Sequence, residues 1–265
     1  MPGELDVLLI NPGGQKAIYQ LGQMAMQIPA KEPSVWAGLL ATYVRKRGFS
    51  AEILDTNVEE LEPEAAAVRI VEVKPRLAAF VIYGNQPSAS TQTMAPAGEV
   101  ARVLKQLAPE QDVLFVGGSV ATLPGRILRE EATDFACGGE GPVTLAELLA
   151  ALRSSDPEAH RKVRGLHYRA DGEIIANPPA PIVRDLTNDM PGMAWDLLPM
   201  EKYRAHNWHC LAHINERQPY ASLYTTLGCP FDCSFCCIQA PFKSGETLAG
   251  FGGGKTNSYR FWDPK

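Results

Sequence analysis

Three cysteines stand at four- and three-residue spacing in the stretch Leu227-Gly228-Cys229-Pro230-Phe231-Asp232-Cys233-Ser234-Phe235-Cys236-Cys237. Thiols at this spacing can face one centre from a helical turn or from a wrapped loop. Thiolates suit zinc and iron–sulfur clusters, not magnesium or calcium. Structural zinc closes its shell with four protein ligands, usually as two pairs. The sequence offers no second pair, only Cys237, Cys210, Cys137 and scattered histidines. A [4Fe–4S] cluster on three cysteines leaves one iron without a protein ligand, and an open iron can take a small molecule. Two plainer readings stand beside this one: a zinc site, and three reduced packing cysteines beside a turn. Cys237 lies outside the pattern and reads as a packing residue.

The pattern Cys229-x3-Cys233-x-Phe235-Cys236 resembles the signature of the radical S-adenosylmethionine (radical SAM) enzymes. The resemblance implies that Cys229, Cys233 and Cys236 hold a [4Fe–4S] cluster whose open iron chelates the amino and carboxylate groups of SAM. It implies that Phe235 packs near the adenine. It also implies a small-molecule substrate and an electron donor such as a flavodoxin or ferredoxin.

The elements that must position these residues begin with Ala221 to Leu227, a β-branched and aromatic run that reads as a strand. Gly228 lets the chain turn after it, and Pro230 removes a backbone donor. The chain of 265 residues allows one large domain or two ordinary ones. Its 45% hydrophobic content is that of a globular protein, and the net charge of −5 is spread along the chain. No basic block points to nucleic acid, and no long apolar run points to a membrane span. The start, Met-Pro-Gly-Glu-Leu-Asp, lacks the regions of a signal peptide. Six cysteines, three of them clustered, suit a reducing compartment, so the protein reads as cytoplasmic.

Residues 1–152 alternate strand and helix. Strands are expected at Val7–Ile10, Ala51–Leu54, Leu77–Tyr83, Val113–Val116 and Asp134–Cys137. Helices are expected at Ser34–Arg47, Pro63–Val73, Thr93–Leu107, Pro124–Glu131 and Val143–Leu152. Five βα units predict an α/β fold with a Rossmann-like, doubly wound parallel sheet. Ligands of such sheets bind at the carboxyl ends of the strands. No G-x-G-x-x-G follows the first strand, which argues against a dinucleotide site.

This half is similar to the cobalamin-binding domain that precedes the radical SAM domain in one branch of that family. The similarity runs through Asn11-Pro12, Ser88-x-Ser90-Thr91, Gly117-Gly118-Ser119 and Gly139-Glu140-Gly141. It implies cobalamin contacts at Ser88, Ser90, Thr91, Gly117, Gly118, Ser119, Gly139, Glu140 and Gly141. No histidine precedes His160, so no early residue can replace the lower ligand of cobalt. Ordinary βα-loop chemistry is the other reading of these Gly and Ser residues.

Residues 153–220 read as a linker with a hairpin, Leu166–Arg169 and Glu173–Ile175 around Asp171-Gly172. Its aromatic end carries His206, His209 and His213, either catalytic or docking the linker between two domains. The Gly-rich run at Gly252-Gly253-Gly254-Lys255-Thr256 misses phosphate-loop spacing by one residue. Residues 221–265 are expected to be the first part of an incomplete (β/α) radical SAM barrel. On this reading the chain is a fragment of a longer enzyme, inactive alone, and poorly packed from about Thr225 onward. The function implied is reductive SAM cleavage for methyl transfer or oxidative rearrangement. The alternatives are a non-catalytic corrinoid-binding protein and a zinc-stabilised module.

Overall fold

The computed structural model describes residues 5–13, 30–84, 91–205, 217–231, 233–234, 236, 238–251 and 259–264. Five parallel strands make up most of a sheet: β1 (Val7–Asn11), β2 (Ala51–Asp55), β3 (Leu77–Ile82), β4 (Val113–Gly117) and β5 (Phe135–Cys137). Nearly every residue of β1, β3, β4 and β5 is buried, as continuous apolar runs require when helices cover both faces. Among the described residues the strand order is β2-β1-β3-β4-β5-β6-β7, with β6 (Leu166–Ala170) and β7 (Glu173–Ala176) antiparallel at one edge. The order reverses between β1 and β3, the place where doubly wound sheets open a crevice for ligands.

The helices are α1 (Val35–Arg45), α2 (Pro63–Val73), α3 (Met94–Leu107), α4 (Gly118–Thr122), α5 (Pro124–Glu130) and α6 (Pro142–Arg153). Ser34 caps α1 by accepting from the Ala37 amide, and Pro63 opens α2 where no amide donor is needed. Alternate strand residues feed two cores. Leu8, Ile10, Phe80 and Phe115 pack with α2, α3 and α5 on one face. Val7, Leu9, Val81 and Val116 pack with α1 and α6 on the other.

The hairpin expected inside a linker is instead part of the sheet. Phe135 pairs with Tyr168 and Cys137 with Leu166, and Leu166 and Tyr168 are buried in the α1/α6 core. The cause is the shortness of β5, whose three buried residues would otherwise form a bare edge. The chain then returns over α1. Met190, Met193, Ala194, Leu198 and Tyr203 are buried there, and the Ala194 amide donates to the Gly38 carbonyl at 3.1 Å. Gly38 has no room for a Cβ because Met193 lies against it. The Tyr203 hydroxyl donates to the buried Asp55 carboxylate at 2.8 Å, which the Asn11 side-chain amide also donates to at 3.0 Å.

The expected strand at Ala221–Leu227 shortens to β8 (Thr226–Leu227), paired antiparallel with β9 (Arg260–Phe261). Its partner offers only two residues, so the ladder stops there. The expectation of loose packing beyond Thr225 is overturned in part. Leu227, Gln239, Pro241, Phe242 and Arg260 are buried, although Leu223, Phe231 and Phe261 stay exposed. A short helix, α7 (Ala240–Lys243), packs beside α4 at the carboxyl ends of the strands. Among the described residues, no helix is long and apolar enough to cross a membrane.

Candidate functional site

The cysteine loop lies over the carboxyl ends of the parallel strands, and its anchors are residues outside the Cys pattern. Gly228 turns the chain at φ 84°, a left-handed conformation that a side chain disfavours. The Gln239 side-chain amide donates to the carbonyl oxygens of Cys229 and, at 3.4 Å, of Phe231. The Cys236 amide closes a turn onto the Cys233 carbonyl at 3.1 Å. Below the loop, the Ser244 hydroxyl donates to the Gly138 carbonyl at 3.3 Å, and the Gly245 carbonyl accepts from Ile182 at 3.4 Å.

The firmest anchor is a buried ion pair. Arg260 donates to Glu140 Oε1 at 2.7 Å, and Glu140 Oε2 accepts from the Val183 amide at 2.7 Å. Arg260 also donates to the Val183 carbonyl and lies over the Phe242 ring, 5.3 Å from its centroid. Each charge is thus paired and hydrogen-bonded, the condition under which burial is tolerated. The Glu140 backbone carbonyl accepts from the Tyr83 hydroxyl at 2.6 Å. Burial pushes the Tyr83 hydroxyl well above its ordinary pKa, so it remains a proton donor.

Cys229 and Cys236 are half-buried, Cys233 is exposed, and all three are free thiols. Among the described residues, no three His, Cys, Asp or Glu side chains stand close enough to share a metal ion. Three soft thiol donors stand on one loop, but in this structure they are not drawn in on one centre. Cys137 is remote in character. It is fully buried, its thiol donates to the Gly139 carbonyl at 3.5 Å, and burial pushes its pKa up. Phe235, Cys237, Ser88, Ser90, Cys210, His206, His209, His213 and the Gly252–Thr256 run lie outside the described residues.

The remaining residues expected to touch cobalamin separate into groups. Gly117, Gly118, Ser119, Gly139, Glu140 and Gly141 gather at the ends of β4 and β5. Gly117 permits the close approach of two strands: a Cβ there would fall on the Ile82 carbonyl oxygen. Gly141 opens α6 at φ 112°. Ser119 is half-buried and directs its hydroxyl to Met94 Sδ at 3.9 Å. Thr91 is exposed. Glu140 spends both carboxylate oxygens on the protein itself, a partnership its Gly-Glu-Gly setting did not announce. His167, whose pKa burial lowers, packs against Gly138.

Between the strand ends and the cysteine loop lies a slot of about 270 Å³. Trp36, Tyr83 and Gly118 line its sheet side, and Leu227, Cys229, Ile238 and Phe242 its loop side. Trp36 stacks on Tyr83 with centroids 4.0 Å apart and 13° between the planes.

Residues 24–149 match the family model described as the B12 binding domain. The chain is 28% identical over 239 residues to an uncharacterized methyltransferase, PH0819, of Pyrococcus horikoshii, covering 90% of this chain and 46% of that protein. It is 28% identical over 237 residues to the anaerobic magnesium-protoporphyrin IX monomethyl ester cyclase of Rubrivivax gelatinosus, covering 88% of this chain and 38% of the relative. It thus spans less than half the length of these two relatives. The fold is like that of the cobalamin-dependent S-adenosylmethionine radical enzyme OxsB solved with aqua-cobalamin and S-adenosylmethionine bound. The TM-score is 0.56 at 17% identity, covering 88% of this chain and 28% of that one. The B12 binding domain match, the curated relatives and the parallel sheet make the chain similar to proteins that carry a B12 binding domain of this fold.

Proposed function

We propose that this chain carries out, as part of a longer assembly, cobalamin-dependent radical SAM chemistry. Cys229, Cys233 and Cys236 would hold a [4Fe–4S] cluster, with Phe235 beside SAM. The strand-end residues Gly117, Gly118, Ser119, Gly139 and Gly141 would line the cobalamin face, and Ser88, Ser90 and Thr91 would add contacts to it, while Glu140 is held by Arg260 and Val183. The absence of any histidine before His160 leaves cobalt without a protein imidazole from this half. When bound, cluster, SAM and cobalamin supply one-electron reductive cleavage and a methyl carrier. The product is a methylated or oxidatively rearranged small molecule, and the electron comes from a flavodoxin or ferredoxin. A reducing, cytoplasmic setting suits the free thiols.

The single observation that supports this reading is the docking of the cysteine loop on the B12 domain. Glu140, Arg260 and Gln239 tie the loop down so that Cys229 shares one slot with Tyr83 and Gly118. The chain's own contribution is to hold three thiols at the face where a corrinoid would lie. It also excludes water there with Trp36, Leu227 and Phe242. Anaerobic purification tests it. Iron and sulfide at about cluster stoichiometry, corrinoid uptake, and 5′-deoxyadenosine on addition of SAM and reductant with the remaining segments of the longer relatives are expected. A colourless, zinc-loaded protein would replace the reading with a zinc-stabilised module.

A non-catalytic corrinoid-binding protein is the second reading. It is favoured by the lack of three converging metal donors among the described residues. Corrinoid uptake without iron would establish it.

A further inference from the structure

The sheet ends on β7, and among the described residues no strand pairs with its outer side. The hairpin register fixes which backbone groups face outward. Asp171 and Gly172, at φ 51° and 80°, make a two-residue turn, and Ala170 pairs with Glu173 across it. The Asn177 amide donates to the Leu166 carbonyl at 2.9 Å. In an antiparallel ladder the bonding residues alternate, so Glu173, Ile175 and Asn177 turn their backbone groups to β6. Ile174 and Ala176 turn theirs away from it. Natural sheets close such an edge with Pro, Lys or a bulge, and Glu173–Ala176 has none of these.

The edge is complementary to itself in one register. A two-fold axis through Ile175 sets Ile174 of each copy opposite Ala176 of the other. All of these residues have outward N–H and C=O groups, so each meeting closes a pair of hydrogen bonds. An axis through Ala176 would set Ile174 against Pro178, which has no amide to donate. An axis through Ile174 would set Ala176 against Gly172, inside the turn. Ile175, 36% exposed, meets its own copy at the favoured axis.

Charge agrees with this register. Asp171 and Glu173 stand exposed at the turn end of the edge. At the other end, the Asn177 side-chain amide donates to the His160 and Val163 carbonyls at 3.0 and 2.8 Å. These bonds fasten the short turn Ala159–Lys162 there, with Lys162 exposed. Arg161 of that turn already pairs with Glu158, whereas no ion pair engages Asp171, Glu173 or Lys162 among the described residues. Antiparallel pairing lays the acidic end of each copy on the basic end of the other, the favourable arrangement for cross-strand charges.

We propose that β7 is a self-association edge, on which a second copy of this chain continues the sheet antiparallel about Ile175. An edge of four residues buries less than the ~800 Å² per partner of a standard interface, so the dimer is weak and exchanging. It needs neither a cluster nor a corrinoid.

Sedimentation of the full chain from about 1 µM to about 1 mM, the range of weak interfaces, tests it. The mass should rise towards twice that of the monomer. Ala176→Pro removes an outward amide and leaves the bonds to β6 in place, so the fold should persist by circular dichroism while the rise disappears. Glu173→Lys and Lys162→Glu should each weaken association several-fold, and the two together should restore it. The register is read by Ile175→Cys. Its two copies would stand with Cα atoms about 4.5 Å apart, within reach of a disulfide. Mild oxidation should join them, and peptide mass mapping separates that bond from any made by exposed Cys233. Glu173→Cys, whose copies lie at opposite ends of the ladder, should not join to itself. A mass that stays monomeric up to about 1 mM overturns the proposal. A dimer that survives in folded Ala176→Pro overturns it too, as does a Glu173→Cys crosslink or the lack of one in Ile175→Cys. The Ile175→Cys result decides alone if Ala176→Pro does not fold.

Discussion

Arg260 and Glu140, 120 residues apart in the chain, meet at 2.7 Å with side chains only 3% and 2% exposed. Removing one member of such a pair strands a buried charge, at a cost of about 3–5 kcal/mol, whereas an apolar pair of similar volume is often neutral. Arg260→Met and Glu140→Gln are therefore expected to release residues 226–261 from the sheet. Faster hydrogen exchange in that segment would show it. The double variant Glu140→Leu/Arg260→Met should recover much of the protection.

Gly117→Ala addresses the most crowded glycine among the described residues. The added methyl would collide with the Ile82 carbonyl, a main-chain atom that cannot rotate away. Overpacking of this kind costs about 1–3 kcal/mol, and strand displacement adds to it. Urea unfolding should show the loss, and a variant as stable as the parent would mean the two strands can part freely.

Asp6 gives the protein an acid limb. Burial alone would raise its pKa, but hydrogen bonds from Arg153 and from the Ser50 amide and hydroxyl outweigh burial and hold it below the ordinary value. A lowered folded pKa means that the unfolded state binds the proton more readily. The stabilisation is complete above about 3.9, the unfolded value, and is lost as pH falls through the lowered folded value. Asp6→Asn should cost about 1–3 kcal/mol at neutral pH. The gap between parent and variant in thermal melting should close as the solution is acidified.

Each of Cys229→Ala, Cys233→Ala and Cys236→Ala is expected to abolish iron–sulfur absorbance after anaerobic reconstitution. Cys137→Ala and Cys237→Ala should retain it. Full iron content in Cys233→Ala would sink the three-cysteine assignment.

Much of the sheet was legible because its strands are short, apolar and bounded by Gly, Pro or Asn. Val7–Ile10 and Val113–Val116 read as strands buried on both faces, and each extends by one residue. Ser34 and Pro63 marked helix starts by chemistry that acts within a turn. What escaped was pairing across distance. The alternation of Leu166 and Tyr168 showed a hairpin, but nothing local said that it would close onto β5. Glu140 sat in a ligand-like Gly-Glu-Gly setting, and its partner Arg260 lies far along the chain. Gln239, which braces the cysteine loop, carried no signal at all.

The bond between Tyr203 and Asp55 has a consequence for synthesis. The two residues are 148 positions apart. A ribosome adding about 5–20 residues per second delivers Tyr203 roughly 7–30 s after Asp55. Throughout that interval a carboxylate destined for full burial lacks its phenolic donor, and the α1 face lacks the segment that covers it. The nascent sheet must therefore wait with the Gly38 side of α1 uncovered, and during that period the growing chain is open to chaperones and to its neighbours on the same message.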